Sequence, residues 1–575
     1  MFRRFYGYAK DYRKYGFWSC VCVALEVMAE LVIPLVMADI IDVGVANGDK
    51  EYILRKGLEM CLLALIALAL GMMYARLAAL CGMGLGSELR KAEYQKIQSF
   101  SFANVDHFST SSLVTRLTSD ITVIQNAVTT GLRPVVRAPV MMVTALLLSF
   151  SINGELALIF LVAIPILAGC LYYIICHVRP LYSRMQMAID MVNRIVQENL
   201  TAIRFVKAYV REDYEMEKFE GVNTELQTVS ERAFGTACLN MPAMQYVMYG
   251  TILSILWFGG NLIFIGGMQV GELTGFLSYV LQILNSLMMI SNVFMMLTRS
   301  MASGHRILEV LDEEIEIKDE STEQLEIKTG EIAFENVYFK YRKDAEEFVL
   351  SDVSFHILPG QTVGIIGGTG SAKTTLVQLI PRLYEATKGT VYVDGRPVRE
   401  YPLEHLRDAV AVVLQKNTLF SGTIEENLRW GKEDATPEEI KLACEIAGAD
   451  EFVERFPAGY QTVLEQGGVN LSGGQKQRLC IARAILKSPK VLILDDSTSA
   501  VDTATEAKIR EGLAKNLKDT TKIIIAQRIT SVLHADQIII MDDGKVHAVG
   551  NHESLLASDS IYQEIYYSQQ EGVGL

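Results

Sequence analysis

An excess of basic charge and clustered cysteine are what this chain lacks, and no cleavable leader is expected at its N-terminus. Against 67 Asp and Glu stand 53 Lys and Arg, a formal net charge of −14. No basic face offsets that balance, which argues against a nucleic-acid role. Nine cysteines are scattered through 575 residues, seven of them in the first half, with no CxxC and no metal-ligand spacing. With Cys444 and Cys480 in the polar half, the pattern reads as unpaired buried thiols in a reducing compartment rather than a disulfide framework. The stretch from Phe2 to Tyr15 alternates aromatic and basic residues and lacks a small-residue cleavage site. It is expected to lie as a helix in the inner membrane interface.

Long apolar runs, by contrast, fill the first 305 residues, which also hold 22 of the 23 methionines. Half of all residues are hydrophobic and the mean hydropathy is +0.23, too apolar for an ordinary soluble enzyme. Six segments are long enough to span ~30 Å of hydrocarbon at ~1.5 Å per residue: 16–43, 57–82, 132–152, 155–177, 243–266 and 273–297. Short connections carry few Lys or Arg. The long ones, 83–131 and 178–242, carry many, as does the N-terminus. By the positive-inside bias, both ends and both long loops face the cytoplasm of a plasma-membrane protein. The long loops have helical periodicity and are expected to extend the membrane helices. Glu26 and Glu30 share a face of the first span; they read either as an acidic patch for cationic substrates or as ion pairs with Arg133 or Arg137. Methionines such as Met141, Met142, Met244 and Met248 read either as an adaptable cavity lining or as packing.

The second half reads as soluble α/β. The strand-like run Thr362 to Ile366 leads into Gly367-Gly368-Thr369-Gly370-Ser371-Ala372-Lys373-Thr374-Thr375, a phosphate-cradling loop with its lysine and Mg²⁺-binding hydroxyl. A second apolar run, Val491 to Leu494, ends in Asp495-Asp496, the usual place for a carboxylate that holds Mg²⁺ beside a nucleotide phosphate. About 20 residues earlier stands Leu471-Ser472-Gly473-Gly474-Gln475.

These three elements, in this order, resemble the nucleotide-binding domain of ATP-binding-cassette (ABC) transporters. Glu198-Asn199-Leu200-Thr201-Ala202-Ile203-Arg204-Phe205 is similar to the second intracellular loop of ABC exporters, and Ala302 to Asp312 to their entry into the linker. The resemblance thus covers essentially the whole chain. It implies a membrane all-α six-helix transmembrane domain (1–311), a linker (312–330) and an α/β P-loop domain (331–575). It also implies coupling helices in the two long loops, with Ser111–Asp120 and Ala202–Tyr209 as candidates. Within the cassette, Tyr341 matches the adenine-stacking aromatic and Gln415 the glutamine that contacts Mg²⁺. Asp495 matches the metal carboxylate, and Ser499-Ala500-Val501-Asp502 the D-loop. Ser472, Gly473 and Gly474 are implied to bind the γ-phosphate of an ATP held by the opposite cassette, so that two cassettes sandwich two ATPs.

Three positions depart from the family pattern. Asp496 stands where the catalytic glutamate is expected, Gln527 replaces the switch histidine, and Ala372 replaces the glycine before the P-loop lysine. The expectation is an ATP- and Mg²⁺-binding half-site that hydrolyses poorly, in one subunit of a heterodimeric exporter of amphipathic or multidrug compounds. Its spans would contact membrane lipids, and its intact signature would complete the partner half-transporter's catalytic site. Lipid or peptide export, or an ATP-gated regulatory, channel-like subunit, are the alternatives.

Overall fold

The structure is a computed structural model that describes residues 2–319, 325–497 and 501–571. The chain falls into two compact units, residues 1–98 with 110–313, and residues 99–109 with 314–575.

The first unit is helical. Among the described residues, six helical segments are long and apolar enough to cross a membrane, beginning with Arg13–Val45 and Lys50–Gln98. Each expected span falls on one of them. The two long loops are helical extensions, as their periodicity predicts: Lys50–Gln98 runs 49 residues and Gly154–Thr201 runs 48, each about 70 Å at ~1.5 Å per residue. Val23, Val27, Leu31, Ile255, Phe276 and Ile283 are fully buried where the helices meet. Met141 and Met244 are buried in the same cluster, so these two pack rather than line an open cavity. Leu54, Leu58, Leu62, Leu65 and Leu68 stay exposed along the second span, the apolar face expected against lipid. The acidic pair in the first span is taken up by arginines. Arg133 meets Glu26 at 2.5 Å, and Arg137 meets Glu30 at 2.5 Å and Glu26 at 3.3 Å. The tip of the second long loop, expected at Ala202–Tyr209, is the short helix Ile203–Ala208.

The second unit is α/β. Its main sheet runs Lys545–Gly550, Gln537–Asp542, Thr362–Gly367, Thr521–Ile525, Val491–Asp495 and Val410–Val413 in spatial order. Only the Lys545–Gly550 pairing is antiparallel. Parallel strands covered on both faces read as unbroken apolar runs. Accordingly, Val491, Leu492 and Ile493 are fully buried, as are Ile538, Ile539 and Ile540. A second, antiparallel sheet orders Leu350–Ile357, Ile332–Phe339, Lys388–Val393 and Arg396–Pro397. The loop entering this sheet is held by Asp394, whose carboxylate accepts the backbone N–H groups of Lys328, Thr329, Gly330 and Glu331 and the Thr329 hydroxyl.

One expectation is corrected here. The part of the first long loop that packs with the α/β unit is the short helix Phe102–His107, not Ser111–Asp120, which belongs to the helical unit. Ser101 and Asn104 close a capping box at its start. Asn104 donates to the Glu314 carbonyl, Tyr384 donates to Asp106, and the Phe102 ring meets Tyr384 edge-on. Helical period alone does not say which body a short amphipathic helix joins.

Candidate functional site

A cavity of about 610 Å³ opens at the carboxyl ends of the parallel strands, the place where such sheets bind ligands. Gly367, Gly368, Thr369, Gly370, Ala372, Lys373, Thr374 and Thr375 all line it, together with Gln415, Asp495, Asp496 and Gln527. The glycine at 367 is forced by close approach, since a Cβ there would sit 2.1 Å from the Met541 carbonyl oxygen. Ser371 braces the loop from behind, buried, with its hydroxyl donating to the Gly368 carbonyl at 2.9 Å. Lys373 folds back over the loop and donates to the carbonyls of Gly367 and Gly368 at 2.9 and 2.8 Å. Burial lowers its pKa, against the opposing charges of Asp495 and Asp496. An incoming phosphate offers this ammonium a stronger acceptor than a carbonyl.

Ala372 adopts φ +67°, ψ +24° just ahead of the helix Lys373–Gln378. A residue with a Cβ is strained there by ~1–2 kcal/mol, so the Ala372 departure has a backbone cost.

Asp495 ends its strand almost completely buried. One carboxylate oxygen takes the Thr374 hydroxyl at 3.0 Å; the other, Oδ2, is buried with no hydrogen-bond partner among the described residues. Burial is the main reason its pKa is raised. A buried carboxylate oxygen with nothing to bond, beside a threonine hydroxyl, is an all-oxygen donor set that fits a hard cation such as Mg²⁺. Among the described residues no three His, Cys, Asp or Glu side chains converge to hold a metal by themselves. The set therefore suits an ion that shares its ligation with phosphate.

Asp496, at φ +47°, turns its carboxylate into the same cavity. Its Oδ2 accepts from Gln527 Nε2 at 2.9 Å and more weakly from Gln415 Nε2 at 3.5 Å. Burial raises its pKa, while Gln415, Lys373 and Gln527 oppose the rise.

The other expected site residues lie elsewhere on the unit. Tyr341 flanks the cavity without lining it; its hydroxyl bonds Thr375 Oγ1 at 2.8 Å and its ring stands edge-on to Phe339 and Tyr384. Ser472, Gly473, Gly474 and Gln475 open the 14-residue helix Gly473–Leu486, where Ser472 and Gln475 form a reciprocal capping box. None of the four reaches the cavity. Asp502 caps Thr503–Asn516 by accepting from Thr505; Ser499 and Ala500 lie outside the described residues. Sequence reasoning missed Val349, Ile565, Ser568 and Gln569 as cavity wall. They carry no motif, and the chain returns to the site through tertiary packing.

Residues 17–287 match the family described as the ABC transporter transmembrane region, and residues 350–499 the family described as ABC transporter. The chain is 41% identical over 562 residues to the uncharacterized ABC transporter ATP-binding protein YfiB of Bacillus subtilis, covering 98% of this chain and 97% of that one. It is 31% identical to the putative multidrug export ATP-binding/permease protein YgaD of Bacillus subtilis, with 99% of each covered. It is 30% identical to the ATP-dependent lipid A-core flippase of Chromobacterium violaceum, covering 99% of this chain and 97% of that one. A solved structure of a bacterial Atm1-family ABC exporter with ATP bound shares the fold, with a TM-score of 0.82 and 22% identity, covering 97% of this chain and 99% of that one.

Proposed function

The chain belongs to the ABC transporter family as an exporter half-transporter, and from that premise we propose that it is one subunit of a heterodimeric pump. The cargo is an amphipathic compound, in keeping with relatives named for multidrug export and for lipid A-core flipping. The N-terminus and the ATP-binding domain face the cytoplasm. ATP is bound at the cavity, its phosphates wrapped by the loop from Gly368 to Thr374 and paired with Lys373. Thr374 and Asp495, with Gln415 beside them, are the residues to hold Mg²⁺. That ion, when bound, screens the phosphate charge.

The observation that carries the reading is the Asp496–Gln527 hydrogen bond of 2.9 Å. Asp496 sits where a water-activating carboxylate is expected, yet it is one methylene shorter than glutamate and already takes an amide donor. Gln527 cannot exchange a proton as histidine does. Phosphate-binding parts are thus complete while water-activating parts are weak. Such a half-site holds ATP and hydrolyses it slowly. The exposed, capped helix start at Ser472 is suited to complete a second site on a partner cassette. Closure of two cassettes around ATP then drives the spans from inward- to outward-facing, and hydrolysis at the partner's site resets them.

Expression of this chain alone is the direct test. The purified chain is expected to bind ATP with little cargo-stimulated hydrolysis, and robust stimulated turnover by a pure homodimer would overturn the reading. Vesicles holding both subunits are expected to accumulate cargo in a vanadate-sensitive, gradient-independent way. Passive flux alone would point to an ATP-gated channel instead.

A further inference from the structure

The nucleotide cavity has a wall that no nucleotide motif supplies. The last helix, Ser560–Glu571, is fixed by its inner face. Tyr562 is fully buried with its hydroxyl 2.7 Å from His552 Nδ1, and Ile561, Ile565 and Tyr566 pack against the same core. Positions 561, 565 and 569 follow at intervals of four, so the helix turns Gln569 to that face. Its carboxamide there bonds the backbone on both sides of Arg528. Oε1 accepts the N–H of Ile529 at 2.8 Å, and Nε2 donates to the carbonyl of Gln527 at 2.8 Å. One donor and one acceptor leave a single amide orientation that satisfies both. The side chain of Gln527 in turn donates to Asp496. The switch segment is therefore held through its side chain by Asp496 and through its backbone by Gln569. Ile565, Ser568 and Gln569 themselves line the cavity.

We propose that Gln569 is a positioning residue for the phosphate end of the ATP site, clamping the segment Gln527–Ile529 so that the Gln527 amide stays aimed at Asp496 and the terminal phosphate. This rests on the reading of the cavity as the ATP site. The consequence is selective. A free switch segment loses its hold on the terminal phosphate of ATP, whereas ADP, which lacks that phosphate, does not register the change. Through this clamp, preference for ATP over ADP depends on the chain's last helix, outside every nucleotide motif.

The test is equilibrium binding of Mg-ATP and Mg-ADP to the full-length chain in detergent, with a melting curve for each variant. Gln569→Ala removes two ordinary hydrogen bonds and is expected to lower the melting temperature slightly and to weaken ATP ~10-fold, with ADP affinity unchanged. Gln569→Glu keeps the acceptor for Ile529 but sets a second acceptor against the Gln527 carbonyl and adds a negative charge to the cavity wall, and is expected to weaken ATP at least as much as Gln569→Ala. Gln570→Ala, at a neighbouring position whose amide donates to the Tyr566 hydroxyl, controls for general weakening of the helix and is expected to leave both affinities alone. Equal loss of ATP and ADP affinity in Gln569→Ala, no loss of ATP affinity in it, or an ATP-selective loss in Gln570→Ala would each overturn the clamp. A wild-type chain that binds neither nucleotide would instead overturn the ATP-site reading itself, so the two failures are told apart by the control.

Discussion

At Asp496 both backbone and side chain are committed. The left-handed φ of +47° is one that Asp tolerates better than most residues, and the carboxylate is engaged by Gln527. A glutamate with a histidine opposite would reach further and could take up a proton. Each well-placed group of this kind contributes on the order of 10²-fold. We expect Asp496→Glu combined with Gln527→His to raise the ATPase rate of the chain at least ~10-fold. Asp496→Ala should change it only modestly, and a ~10²-fold loss in that variant, measured by phosphate release, would show that Asp496 is a working base. Asp394 tests a structural carboxylate. Burial pushes its pKa up, but the backbone N–H and hydroxyl of Thr329 and the N–H groups of Lys328 and Gly330 outweigh it and leave the pKa lowered. A carboxylate with a lowered folded pKa stabilises above its unfolded pKa, ~3.9 for Asp. That contribution is lost as pH falls through the folded value. Asp394→Asn should cost about 1–3 kcal/mol near neutrality. The gap between wild-type and variant melting temperatures should hold above ~3.9 and narrow as pH falls from there through the lowered folded value; a gap that stays constant below ~3.9 would count against it.

Among the elements, the first span illustrates how a charge inside a membrane helix is resolved. Glu26 is buried with Arg133 and Arg137 on it, and Arg137 also holds Glu30. Two carboxylates matched by two guanidiniums join helices Arg13–Asp39 and Leu132–Ile152, and we expect this pairing to leave little net charge for a cationic cargo. Removing one partner of a buried pair costs a few kcal/mol because the other is left uncompensated. Glu26→Gln is therefore expected to lower the melting temperature and to reduce efflux of cationic and neutral compounds alike. Selective loss of cationic transport would restore the acidic-patch reading. In the cassette, the Ser472–Gln475 capping box fixes the start of a 14-residue helix, so the exposed Ser472 and Gly473 sit at a capped helix start.

At the scale of the whole molecule, the residues we propose to bind phosphate and the signature are on one chain but in separate places: Lys373, Thr374 and Asp495 line the cavity and Ser472, Gly473 and Gly474 do not. Two sites built from two such chains would each combine this cavity with that signature, and both would contain Asp496 and Gln527. In the heterodimer we propose, Ser472→Ala or Gly474→Asp should nearly abolish ATPase activity by spoiling the partner's site. Asp496→Ala should leave most of it. The reverse ranking, read from steady-state ATPase of the co-purified pair, would sink the heterodimer reading.

The membrane spans and the phosphate loop were legible in the sequence because their physics is local. A span is a contiguous apolar run, and the loop from Gly367 to Thr375 is a strand, a turn and a helix start in nine consecutive residues. The departures at Ala372, Asp496 and Gln527 were legible only against the pattern of the family the chain resembles. What only the tertiary structure decided are contacts between distant stretches. Thr374 meets Asp495 across 121 positions and Gln527 meets Asp496 across 31. Gln569 reaches back 42 to the Gln527 carbonyl. The helix Phe102–His107 sits with a unit that otherwise begins at residue 314. Side-chain periodicity specifies a buried face but not the surface that will cover it, so these partners appear only once the chain has folded back on itself.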